Sequence, residues 1–173
     1  MNLDVTKPAS SWFIADANVL IDYAQTSPDI LGAFARFVGP VYVEAAIVEE
    51  VKQLDQQTCD ALGLTVVQAN LAQLAQASVR GGALSFEDKL CLILARDNGW
   101  TCLSNDGPLR RACMLQGVTV AWGLEIMVTL VSRHQLHPDR AIEVAESIHI
   151  VNPIYITRKI VDTFRAKIRA VAS

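Results

Sequence analysis

Short apolar runs alternate along this chain with longer stretches whose apolar positions recur at helical spacing. Trp12-Phe13-Ile14-Ala15 reads as a short buried strand ended by Asp16, and Asn18–Ala24 begins a helix. Ser27-Pro28-Asp29 opens a second helix with Ile30, Leu31, Phe34 and Phe37/Val38 on one face, stopped by Gly39-Pro40. The same grammar predicts strands at 41–43, 64–67, 101–103 and 118–121. It predicts helices at 44–54, 71–79, from Ser85 to Asn98-Gly99, and at 107–116. After Gly123 the pattern is helical throughout, over 124–133, 138–148 and 155–171. Strands that take turns with helices specify a parallel sheet covered on both faces. The expectation is an α/β fold, three layers α/β/α around a parallel sheet of about five strands, with added C-terminal helices. Residues 1–11 are polar, contain Pro8 and are expected to be flexible. Residues 12–122 form the main domain, and 123–173 a helical extension packed on that domain or on a partner.

Composition narrows the class. In 173 residues, a hydrophobic share of 51% against 19% charged supports one sizeable core and argues against disorder. The longest apolar stretches fall far short of the roughly 20 residues a membrane helix needs, and no secretory pattern is visible, so a cytoplasmic protein is expected. Cys59, Cys91, Cys102 and Cys113 have no metal-finger or C-x-x-C spacing and read as reduced, mostly buried thiols. Net charge is −3, yet residues 151–173 carry five basic side chains (Arg158, Lys159, Arg165, Lys167, Arg169) against Asp162 alone. That excess of +4 leaves −7 on residues 1–150. An acidic body with a basic tail suits a polyanion only if cations mask the body.

The acids themselves supply that reason. In a parallel sheet, functional groups gather beyond the carboxyl ends of strands. Asp16 follows the first strand directly, and Asp106 follows the fourth after Ser104-Asn105. Asp88 stands in the first turn of the helix before the fourth strand, and Glu50 on the helix after the second. Carboxylates gathered in one place repel, and a hard divalent cation, Mg2+ or Mn2+, relieves them through oxygen ligands. Such a site lowers the pKa of water and stabilises charge on a phosphate, which is hydrolysis without a nucleophilic side chain. His134, His137 and His149 all lie in the helical end, so no histidine ligand set competes.

Four stretches resemble the PIN-domain nucleases, a family that includes the VapC-like toxin ribonucleases and uncharacterised members with a helical C-terminal extension. They are residues 13–21 (FIADANVLI), the run from Val41 to Glu50-Val51, Leu84-Ser85-Phe86-Glu87-Asp88 running into Leu94-Ala95-Arg96, and Cys102-Leu103-Ser104-Asn105-Asp106. They follow the family's order over about residues 12 to 122. The resemblance implies a Rossmann-like sheet and a Mg2+- or Mn2+-dependent endoribonuclease, with Asp16, Glu50, Asp88 and Asp106 as catalytic and metal-binding acids. Asn18 and Ser104 would support them by hydrogen bonding, and hydrolysis would leave a 5′-phosphate and a 3′-hydroxyl. It also allows a toxin–antitoxin role, with an antitoxin protein or a second copy of the chain as partner. Single-stranded or looped RNA is the expected substrate, since splayed strands reach an acidic cleft more readily than a duplex.

Simpler roles compete for each residue. Asp16 and Asp106 suit helix N-caps, Ser85 to Asp88 spells a capping box, and Glu50 suits a solvated helix face. Glu44 and Glu49 read as surface charges, and Asp22 as exposed or as a supporting contact behind the acids. Arg110 and Arg111, one turn beyond Asp106, are placed to meet a phosphate or to be solvated. An aspartyl phosphotransferase would want an acid where Asn18 stands. The strongest rival is a non-catalytic PIN-like scaffold that binds RNA or protein. Four coincidences in family order are harder to accept than one acidic site, so the ribonuclease reading is preferred.

Overall fold

The structure, a computed structural model, describes residues 11–172. The flexible segment expected over 1–11 therefore lies outside the described residues, apart from Ser11. Five strands and ten helices follow one another as β1 (Phe13–Ala15), α1 (Ala17–Thr26), α2 (Pro28–Phe37), β2 (Val41–Glu44), α3 (Ala45–Glu50), α4 (Gln56–Leu62), β3 (Thr65–Val67) and α5 (Leu71–Ala77). Then come α6 (Phe86–Asn98), β4 (Thr101–Leu103), α7 (Gly107–Leu115), β5 (Val120–Ala121), α8 (Glu125–Ser132), α9 (Pro138–Val151) and α10 (Arg158–Val171). The strands form one sheet in the order β3-β2-β1-β4-β5, and every pairing is parallel. This is the expected three-layer α/β/α class, consistent with a PIN-like fold. Central strands β1 and β4 are buried along their whole length, which is why they read as continuous apolar runs without alternation.

One expected element divides. The helix expected over 44–54 stops at Glu50, where Val51 turns extended (φ −86°, ψ 99°), and the separate helix α4 follows. Only Cys59 of α4 is buried, so α4 has no apolar stripe to announce it. Its ends are local chemistry instead: Asp55 accepts the Thr58 N–H at 2.7 Å, and Gly63 closes it at φ 71°.

The C-terminal helices are not an appendage. Residues from Phe13 to Ile168 share one buried cluster. Helix α8 lies against α2, α9 against α1, and α10 across α8 and α9. Val161, Phe164 and Ile168 form the inward stripe of α10, while Ile160 is exposed. The basic tail is spent largely on docking: Arg158 pairs with Glu146 at 2.7 Å, Arg165 with the same Glu146, and Lys167 with Glu125. Among the described residues, no helix is long and apolar enough to cross a membrane. All four cysteines are buried and free, Cys91 and Cys102 touching at 3.6 Å between sulfurs.

Gly39 lies where the chain turns into β2. A methyl group there would sit 2.2 Å from the Ser11 carbonyl oxygen, a backbone atom that cannot swing away. Gly39→Ala is expected to lose about 1–3 kcal/mol of stability by overpacking, read from the urea midpoint. An unchanged midpoint would mean the segment before β1 shifts without cost.

Candidate active site

The sheet order places a crevice where the sequence acids can use it. From β1 the chain builds outward through β2 and β3, then returns to the other side of β1 with β4 and β5. Strand order therefore reverses between β1 and β4, and ligands of open α/β sheets bind beyond the carboxyl ends at such a reversal. Ala15 and Leu103 are register partners, so the next residues, Asp16 and Ser104, emerge side by side. The Asp16 N–H closes the pair by donating to the Leu103 carbonyl at 3.0 Å.

Asp16 is 2% exposed. It is the N-cap residue of α1, but its side chain makes no cap hydrogen bond. Its Oδ2 instead accepts from the Ser104 hydroxyl at 2.9 Å, and Ser104 Oγ in turn accepts the Asp106 N–H at 3.0 Å. Ser104 thus ties two of the acids together. Burial pushes the Asp16 carboxyl up to about 7. The Ser104 bond and the Ala17 amide pull it down, and Asp88 and Asp106 push it further up. Among the described residues no basic side chain forms an ion pair with it.

The other acids meet this centre unequally. Asp106 caps α7, its Oδ2 accepting the Leu109 N–H at 2.8 Å. Asp88 completes the capping box of α6 with Ser85. Helices between parallel strands run back down the sheet, so the N-terminus of α6 faces the same edge as Asp16. Glu50, the exposed last residue of α3, is raised by desolvation first, then by Glu87 and Asp88. Glu87, which the sequence motifs did not single out, is thus a charged neighbour of Glu50 together with Asp88. As these side chains stand, among the described residues no three His, Cys, Asp or Glu groups form a set that could hold an ion. Asp88 and Asp106 each have an oxygen turned to a helix cap.

Several supporting roles differ from expectation. Asn18 is half-buried in the first turn of α1, and among the described residues its amide has no hydrogen bond to the acids. Arg110 is neither solvated nor placed to meet phosphate: it is buried, donates to the Ser104 carbonyl at 3.0 Å, and lies 3.5 Å from the centre of the Trp122 ring. Its fixed guanidinium braces the loop from below. Arg111 remains exposed, with its Nη1 folded close to Gly107 beside Asp106. Glu44, read as a surface charge, is buried and accepts the Ala46 N–H at 2.6 Å and the Ala69 N–H at 3.3 Å.

Asp22, expected to be exposed, is buried at the centre of a polar network. It accepts from Asn105 Nδ2 at 3.2 Å and from Asn152 Nδ2 at 2.8 Å. Asn105 Oδ1 takes the Gly123 N–H at 2.9 Å, which fixes which way that amide points. Tyr23 donates to the Gly123 carbonyl at 2.8 Å. The loop carrying Ser104 and Asp106 is thereby bolted to α1 and to the C-terminal helices. A lone Asp at position 22, one turn after Asn18, carried no sign of this in the sequence, because its partners are 83 and 130 residues away. No family model matches this chain, and no similar sequence was found among curated proteins.

Burial raises Asp22 from 3.8 to about 6, against the lowering effect of its two asparagines. The native state then binds more protons than the unfolded one between those values, so its contribution to stability falls as pH rises from about 4 to about 6. Relative to Asp22→Asn, wild type should lose on the order of 2 kcal/mol across that window, measured by urea unfolding at stepped pH. Parallel pH profiles for the two proteins would contradict it.

Proposed function

We propose that this chain is a metal-dependent ribonuclease acting at the Asp16–Asp106 centre. The observation that carries the reading is the place of Asp16: a carboxyl group buried at the strand-order reversal, under the charge of Asp88 and Asp106, with no basic side chain paired to it among the described residues. Carboxylate oxygens carrying excess negative charge are the donor type that a hard divalent ion prefers. Asp16 and Asp106 would hold it, with Asp88 and Glu50 completing the set or holding a second. A bound Mg2+ or Mn2+ supplies Lewis acidity, making water a better nucleophile and neutralising charge on the phosphate.

The protein's own groups do the positioning. Ser104 holds Asp16 and the Asp106 backbone in one hydrogen-bonded unit, and Arg110 holds Ser104 from behind. Arg111, exposed beside Asp106, is the cation available to a substrate phosphate. The net negative charge of the chain favours a single strand over a duplex that must be gripped by basic patches. The resemblance to PIN-domain nucleases supports the same reading, and a toxin role with an antitoxin partner would follow from it. A non-catalytic scaffold is favoured by one observation, the capping use of Asp88 and Asp106, which leaves each with fewer free oxygens.

Cleavage of a labelled single-stranded RNA pool with Mn2+, Mg2+ or EDTA separates the two. Wild type should cut with either metal and not with EDTA, and Asp16→Asn should fall to background while unfolding at no lower urea concentration. Binding without cleavage by folded, metal-supplied protein would favour the scaffold. Ser104→Ala should cost about 10–100-fold in Mn2+ affinity or activity, since it orients a ligand without being one. Calorimetric Mn2+ titration reads this directly, and an unchanged affinity would remove Ser104 from the site.

A further inference from the structure

A cleft of about 340 Å³ opens between the end of β5 and helix α10, and nothing in the acidic centre accounts for it. Its inner wall includes Asn105, the residue between Ser104 and Asp106, so it begins one residue from the candidate centre. Trp122 and Tyr155, both about half-exposed, flank it, and Phe164 forms part of its apolar floor. Arg110 backs the Trp122 ring at 3.5 Å, holding the indole in place before anything binds. Of its two lysines, Lys167 is neutralised by Glu125, whereas among the described residues the exposed Lys159 has no ion pair.

From this arrangement we infer that the cleft takes one unstacked nucleobase of a single-stranded RNA, with Lys159 meeting the adjoining phosphate. The volume lies at the small end of small-molecule pockets. A planar ring suits a space between a fixed indole and a phenol, because every base has a face that stacks on aromatic side chains. A free ammonium at the rim of an otherwise apolar cleft complements a phosphodiester. The inference rests on the ribonuclease reading, since it places a base beside the phosphate that the acids would address. It gives the C-terminal helices a part in substrate choice.

The test is a titration in EDTA, so that the cleft is read apart from the acidic centre. Wild type is mixed with AMP, GMP, CMP, UMP or ribose 5-phosphate while tryptophan fluorescence is followed, and a labelled single-stranded RNA is followed by anisotropy. The nucleotides should quench fluorescence and ribose 5-phosphate should not. In Trp122→Phe the quench should vanish although Trp12 and Trp100 remain. Tyr155→Ala should weaken RNA binding about tenfold, and Lys159→Gln should weaken it and reduce its salt dependence. Equal responses to ribose 5-phosphate and nucleotides would reduce the cleft to a phosphate site and overturn the proposal. So would concentration-dependent self-association, lost in Tyr155→Ala, with no nucleotide response, since a second copy would then fill the cleft. Metal-dependent cleavage with rate and KM unchanged in both Tyr155→Ala and Lys159→Gln would overturn the base site and spare the ribonuclease reading. Nucleotide quenching without any metal-dependent cleavage would do the reverse.

Discussion

Parallel pairing of β1 with β4 brings two residues 88 positions apart to the same level of the sheet, and the candidate site is built on that contact. Because Ala15 faces Leu103 in register, Asp16 and Ser104 leave the sheet together, and the serine hydroxyl reaches the aspartate at 2.9 Å. The same oxygen takes the Asp106 N–H, so one hydroxyl sets the position of two acids. A shift of one residue in that register would point Ser104 away from Asp16 and take the loop with it. Buried strands on both faces make such a shift costly, and this stabilises the site as well as the core.

The C-terminal helices extend this constraint. Asn152, at the end of α9, and Asn105, in the site loop, meet on Asp22, while Gly123 bonds to Asn105 and to Tyr23. The network is polar and buried, so each member depends on the others for its hydrogen bonds. Gly123 is closely packed, since a methyl group there would lie 3.0 Å from the Asn105 amide nitrogen and 3.1 Å from Val19, and both would have to give by a few tenths of an ångström. The loop that presents Asp106 is therefore held from beneath by Arg110, from β1 by Asp16, and from the helical end by Asp22.

Capping and ligation draw on the same carboxylates here. Asp88 and Asp106 each satisfy a backbone N–H at the start of a helix, which orders their side chains before any ion arrives. Asp16 departs from this habit: it occupies an N-cap position but accepts from Ser104 instead, and it is the most buried of the four acids. That contrast leaves the Asp16 carboxyl group tied to the loop after β4 and not to the helix it precedes.

Strand and helix order, the parallel class of the sheet, and the starts of α6 and α7 were legible in the sequence because they depend on local patterns. Buried strands are continuous apolar runs, and caps such as Ser85 and Asp106 sit next to the backbone they satisfy. Asp16, Glu50, Asp88 and Asp106 were also legible as candidates from their places relative to predicted strands. Helix α4 was not, since polar capping supports it and only Cys59 of it is buried. Nor were the buried states of Asp22, Glu44 and Arg110, whose environments come from distant segments. Charged residue types are usually solvated, and only the folded chain shows what desolvates them. Strand order, the meeting of Asp16 with Ser104, and the cleft beside Trp122 belong to the tertiary structure alone. Each depends on which segments become neighbours, and hydrophobic periodicity specifies the face a residue presents without naming the partner it meets.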